Sequence, residues 1–289
     1  GLLLGLPAIS MLVIGMLQGE RLAWFASPLI CVLLGGGLLL LVLFFINEWS
    51  HPLPFFKLQL LSRRNLSHAL LALGGVLFVL LAVILIPSSY LAQVHGYRPL
   101  QTAPVMLMVA LPQLIALPLV AALCNLRAVD CRWVLAIGLA LLALSCVLGA
   151  RMSPDWIRTH FHLLQAVQIF AQPMAVIPLL LLATTGLAPQ DGPFASAWFN
   201  TIKGMSAVVA TGVLDALITR RNHFHSTVLS ERLGNLPAGV DMERLAQRMH
   251  AQVVTLTSSD LYLTVAAIAL VMIVIIPILP TRVYPPRAA

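Results

Sequence analysis

The 289-residue chain is 60% hydrophobic and only 9% charged, with a mean hydropathy of +0.96. A water-soluble domain carries about a quarter charged residues, so this composition excludes one. The formal charge of +7 reflects few acids, with Lys and Arg at the ends of apolar runs as interface anchors, and no basic–aromatic patch points to nucleic acid.

The apolar runs are continuous and close to the ~20 residues a helix needs to cross about 30 Å of hydrocarbon. A β-barrel would need short alternating segments instead. The expected fold is an all-α integral membrane protein with eight transmembrane helices. They fall at roughly 1–17, 28–46, 66–86, 103–123, 133–150, 161–183, 194–219 and 260–280. The chain opens GLLLGLPAISMLVIGML, with no initiator Met and no charged leader, and so reads as a fragment whose first membrane segment is cut open. Short connections such as QGERLAWFAS, CNLRAVDCR and GLAPQDGP make sequential helices antiparallel neighbours. The exception is 220–259, expected to be a long loop. Within it, Asp241 is positioned to N-cap an amphipathic helix, MERLAQRMHAQVVTL, and Asp260 to cap the last membrane helix. Lys and Arg number seven on one side of this topology and nine on the other, so charge alone leaves the orientation open.

Chemistry-bearing residues cluster in the later segments. On a helix over 194–219, Ser196, Asn200, Lys203, Gly204, Ala207, Thr211 and Asp215 form one stripe about a third of the circumference wide. Lys203 and Asp215 are about 18 Å apart along the axis and do not pair with each other. Two readings stand for them. Either Asp215 pairs with Arg220 or reaches the interface while Lys203 snorkels, or the stripe lines a water-filled path, where intramembrane ionisable residues usually belong. In the sixth segment, Gln165, Gln168 and Gln172 share a face and need partners, as helix–helix bonds or a polar cavity wall. Pro173 and Pro178 follow them, and Pro104, Pro112 and Pro118 flank Gln113 in the fourth segment, so both helices are expected to kink or break. His160–His162 and His223–His225 repeat an H-F-H pattern without a third ligand nearby, which favours interface histidines over a metal site. The cysteines at 31, 124, 131 and 146 contain no C-x-x-C pair and read as small hydrophobes. No catalytic or cofactor-binding motif is present, so neither an enzyme nor a cofactor is expected.

Several stretches carry a family resemblance: LQGERLAWFASPLI, PFFKLQLLSRRNLSHALL, LIPSSYLAQVHGYRPLQTAPVMLMVALP, FNTIKGMS and TRRNHFHSTVLSE. In order and character they resemble the C-terminal part of an EmrB/QacA-type drug:proton antiporter, the fourteen-helix branch of the major facilitator superfamily. Lys203 stands where that family often has Arg, and Ser206 where it often has Gly. The resemblance implies two central linker helices at 1–46, a cytoplasmic loop at 47–65, and a six-helix domain at 66–280. It also implies an outer loop at 220–259, a cytoplasmic tail at 281–289, and a missing N-terminal half of six helices. It further implies proton-coupled export of amphipathic drugs across the bacterial inner membrane, with a periplasmic adaptor and an outer-membrane channel as partners. Export of a metabolite or siderophore is the alternative within transport; a membrane scaffold or sensor is the alternative outside it.

Overall fold

The computed structural model describes residues 1–51, 54–184, 187–233 and 241–278. Among them the chain forms eight α-helices and no strand. These are α1 (Leu2–Gln18), α2 (Pro28–Ser50), α3 (Arg64–His95), α4 (Pro99–Asn125), α5 (Cys131–Gly149), α6 (His162–Thr184), α7 (Gly192–Leu233) and α8 (Met242–Ile275). Seven have the length and composition to cross a membrane; α1, also apolar, is shorter at 17 residues. Leu3, Leu71, Leu114, Ile115 and Val274 are 73–91% exposed, part of an apolar outer surface suited to hydrocarbon rather than water. The chain is a multi-pass membrane protein.

Local chemistry sets the helix ends. Pro28 and Pro99 occupy first-turn positions, where the missing N–H costs nothing. Asp130 caps α5 by accepting from the Arg132 amide, and Asp241 caps α8 by accepting from the amides of Glu243 and Arg244, as expected for Asp241. Gly96 ends α3 at φ +66°, a left-handed cap whose N–H bonds the Ala92 carbonyl.

The largest difference from the sequence reading lies at 220–259. This is not a long loop: α7 runs on to Leu233 and α8 begins at Met242, with 234–240 outside the described residues. The expected amphipathic helix is the first half of α8, so Asp260 lies in mid-helix and caps nothing. At 42 residues α7 is about 63 Å long, twice the hydrocarbon thickness, and α8 has 34 residues, so both helices are longer than a membrane crossing needs. The physical reason is that apolar composition ends where the membrane ends, but helical hydrogen bonding does not. Between Gly212 and Gly234 there is no Gly or Pro to stop it. The proline-bearing helices α4 and α6 are likewise continuous rather than broken. The expected 47–65 loop is also shortened, because α2 reaches Ser50 and 58–62 form a 3-10 turn. The tail at 281–289 lies outside the described residues.

Helices α3, α5, α6 and α8 share the main core, with Tyr90, Phe161 and Tyr262 fully enclosed. Helix α4 lies against α6, and α7 against α3 and α8. The α1–α2 hairpin joins through α1, where the Met16 carbonyl comes so near Gly212 that a Cβ there would sit 2.9 Å away. Near the start of α7, Phe44 and Phe45 of α2 and Phe56 of the connector that follows it form an aromatic cluster with Trp198.

Candidate functional site

The side of α7 that is buried changes along its length. Near its start the buried residues are Ala195 and Trp198, opposite the polar stripe; farther on they are Ala210 and Leu214. The stripe is therefore split. Ser196, Asn200, Lys203, Gly204 and Ala207 lie on an exposed face, while the half-buried Thr211 and the exposed Asp215 line a cleft. Asn200 bonds only back to the Ser196 carbonyl at 3.1 Å, and Lys203 has no hydrogen bond or ion pair among the described residues.

The cleft, about 360 Å³, lies between α3, α7 and α8. Its floor and walls are mostly apolar, with Leu85, Ile86, Leu214, Ile218, Val254 and Leu261 contributing. Asp215 is its one ionisable residue among the described lining. Among the described residues Asp215 makes no ion pair with Arg220. On α3, Gln93 donates to the Ser89 hydroxyl at 2.7 Å and Ser88 to the Ile84 carbonyl at 3.2 Å. Thr211 donates to Ala207 at 2.9 Å. Two wall atoms, Asn222 Oδ1 and Thr257 Oγ1, are buried with no protein partner among the described residues. Such atoms are nearly always bonded, so they mark places for water or a polar ligand.

The glutamines are elsewhere. Gln113 donates to Gln172 at 2.7 Å, Gln172 to Gln168 at 3.1 Å, and Gln168 to the Ser145 hydroxyl at 2.9 Å. Ser145 then donates to the Leu164 carbonyl at 3.3 Å. This relay ties α4, α6 and α5 together, with Gln165 and Gln168 buried. None of the four glutamines lines the Asp215 cleft. The hydrophobic side of α7 that includes Ile202, Met205, Val209 and Val213 faces α3 across a separate apolar groove of about 540 Å³.

One charged cluster lay outside the residues singled out by sequence, and a second joins His225 and Asp260, which sequence assigned to the interface and to a helix cap. Asp191, only 3% exposed, receives Lys57 Nζ at 2.7 Å and Arg63 Nη2 at 3.4 Å. Asp260 Oδ2 faces His225 Nε2 at 2.8 Å and Arg221 Nη1 at 3.6 Å. The usable signal for the second was the three- and four-residue spacing that continues from Asp215 through Asn222 to His225. At the other H-F-H, His160 Nδ1 accepts from the Ile157 amide at 3.1 Å and its ring stacks on Trp156. Among the described residues no group of three or more His, Cys, Asp or Glu could hold a metal ion.

The chain is 20% identical over 237 residues to the uncharacterized MFS-type transporter YhcA of Bacillus subtilis; the match takes in 80% of this chain and 43% of that protein. The chain thus spans less than half the length of this curated relative. No family model matches the chain.

Proposed function

We propose that the chain is the C-terminal part of a secondary active transporter that exports amphipathic organic compounds in exchange for protons. One observation carries this reading: among the described residues, a single carboxyl group, Asp215, lines an apolar cleft between three membrane helices, together with polar atoms that have no protein partner. An intramembrane acid in such a place is costly and is retained for ion or substrate traffic. The carboxylate attracts a cationic or polar end of a substrate, the apolar walls take its hydrophobic body, and protonation releases it. Similarity to an MFS-type transporter supports the same class.

In this reading 1–46 are linker helices, 66–280 form one transport domain, and the α7–α8 hairpin lies outside the bacterial inner membrane. The exposed Ser196–Asn200–Lys203 face meets the other transport domain, and a periplasmic adaptor with an outer-membrane channel completes export. The test uses the full-length protein in proteoliposomes. Asp215→Asn is expected to lower proton-driven efflux of a fluorescent amphipathic cation by about tenfold or more, and Lys203→Ala by less, both at normal membrane abundance. Wild-type efflux in Asp215→Asn at normal abundance would overturn the assignment.

A further inference from the structure

The face of α7 that lines the cleft continues past its rim. Thr211, Asp215, Ile218, Asn222 and His225 follow one another at three- and four-residue steps, so they stack along one side of the helix. The first four line the cleft. His225 is the next step, and there α8 answers it with Asp260, 2.8 Å from the ring nitrogen Nε2. Arg221 approaches the same carboxylate oxygen at 3.6 Å. The His225 side chain is 13% exposed and that of Asp260 28%, so the pair is sheltered but within reach of water. In the same cleft lining, Asn222 Oδ1 and Thr257 Oγ1 are buried with no protein partner among the described residues.

Resting on the transporter reading above, we infer that His225, held by Asp260, is the proton-loading group of the α3–α7–α8 cleft and supplies Asp215 through cavity water. Imidazole is the side chain whose charge changes between about pH 5 and 8. The other groups around it do not compete for this role. Arg221 stays charged throughout and gives Asp260 a counter-ion whether or not His225 carries its proton. The α3 side of the cleft offers only the neutral Ser88, Ser89 and Gln93, and α8 offers the neutral Thr257 and Ser258.

The transfer balances as a proton relay. An external proton binds the free ring nitrogen of neutral His225, giving imidazolium. The imidazolium gives an N–H proton to the nearest cavity water while the far end of the water chain protonates the Asp215 carboxylate. His225 returns to neutral imidazole and Asp215 becomes a neutral acid; no bond other than those to hydrogen changes. Asp215 and His225 are ten residues apart, about 15 Å along the axis, too far for direct transfer. The cleft of about 360 Å³ has room for several waters.

The experiment compares wild type, His225→Gln and His225→Lys in the full-length protein in proteoliposomes, with ethidium as the transported probe. His225→Lys keeps a positive charge opposite Asp260 and so keeps the contact, but it does not titrate in the relevant range. Both variants are expected to lose about tenfold in efflux driven by a pH gradient, and to lose the rate difference between external pH of about 6 and about 8. Ethidium exchange without a gradient stays at the wild-type rate, because the Asp215 cleft is intact. A wild-type pH profile in His225→Lys overturns the inference. Loss of exchange together with drive in both variants also overturns it, by making His225 a structural group. Wild-type protein that gives neither exchange nor drive overturns the transporter reading itself, and that result is read before any variant.

Discussion

Asp191 is an acid almost fully withdrawn from water, and its two bases come from a connector more than a hundred residues earlier in the chain. Its partners, Lys57 and Arg63, are 39% and 45% exposed, so they are only partly desolvated. Removing the acid leaves two cations that water still reaches. Asp191→Asn is therefore expected to cost about 1–2 kcal/mol, below the 3–5 kcal/mol of a fully buried pair, measured as a lowered unfolding midpoint in detergent. No sequence pattern could have paired these residues, because nothing local encodes a contact at that separation. Asp215 differs: its isolation inside an apolar run marked it as a candidate from sequence, whereas its cleft partners on α3 and α8 became visible only once three helices were assembled.

At the scale of elements, helix–helix approach depends on small residues at particular crossings. Gly138 of α5 sits so close to α6 that a Cβ would lie 2.6 Å from the Met174 backbone carbon, and backbone cannot rotate out of the way as a side chain can. Gly138→Ala is expected to destabilise by about 1–3 kcal/mol. Gly35→Ala on α2, where a Cβ would meet nothing within 4 Å, is expected to be neutral or stabilising by up to about 1 kcal/mol. Thermal unfolding of both in the same detergent checks the contrast. The glutamine row illustrates a second limit. Its shared face on α6 was readable from spacing, but the choice between a cavity wall and a link between helices needed the positions of Gln113 and Ser145. For α7 and α8, hydropathy located the membrane portions and missed their extensions, since helices 42 and 34 residues long outlast any bilayer.

For the whole molecule, five helices, α3 to α7, separate Ser62 from Ser230, and an odd number of crossings puts these two exposed residues on opposite sides of the membrane. In a Cys31→Ser background with either Ser62→Cys or Ser230→Cys, an impermeant thiol reagent is expected to label Ser230→Cys in intact cells and Ser62→Cys only after permeabilisation. Labelling of both from one side would contradict the crossing of all five helices.

Composition and run length by themselves determined an all-helical membrane protein with its helices in this order, because the cost of exposing polar backbone to hydrocarbon leaves no other way to use such segments. They also marked Lys203 and Asp215 as costly and worth explaining. Tertiary structure decided which of the two enters a cleft. Helix α7 packs against α3 and α8 so that its buried side changes along its length, leaving Lys203 away from the cleft and setting Asp215, itself exposed, in the cleft wall. That outcome depends on crossing geometry between helices far apart in sequence, and no single segment contains it.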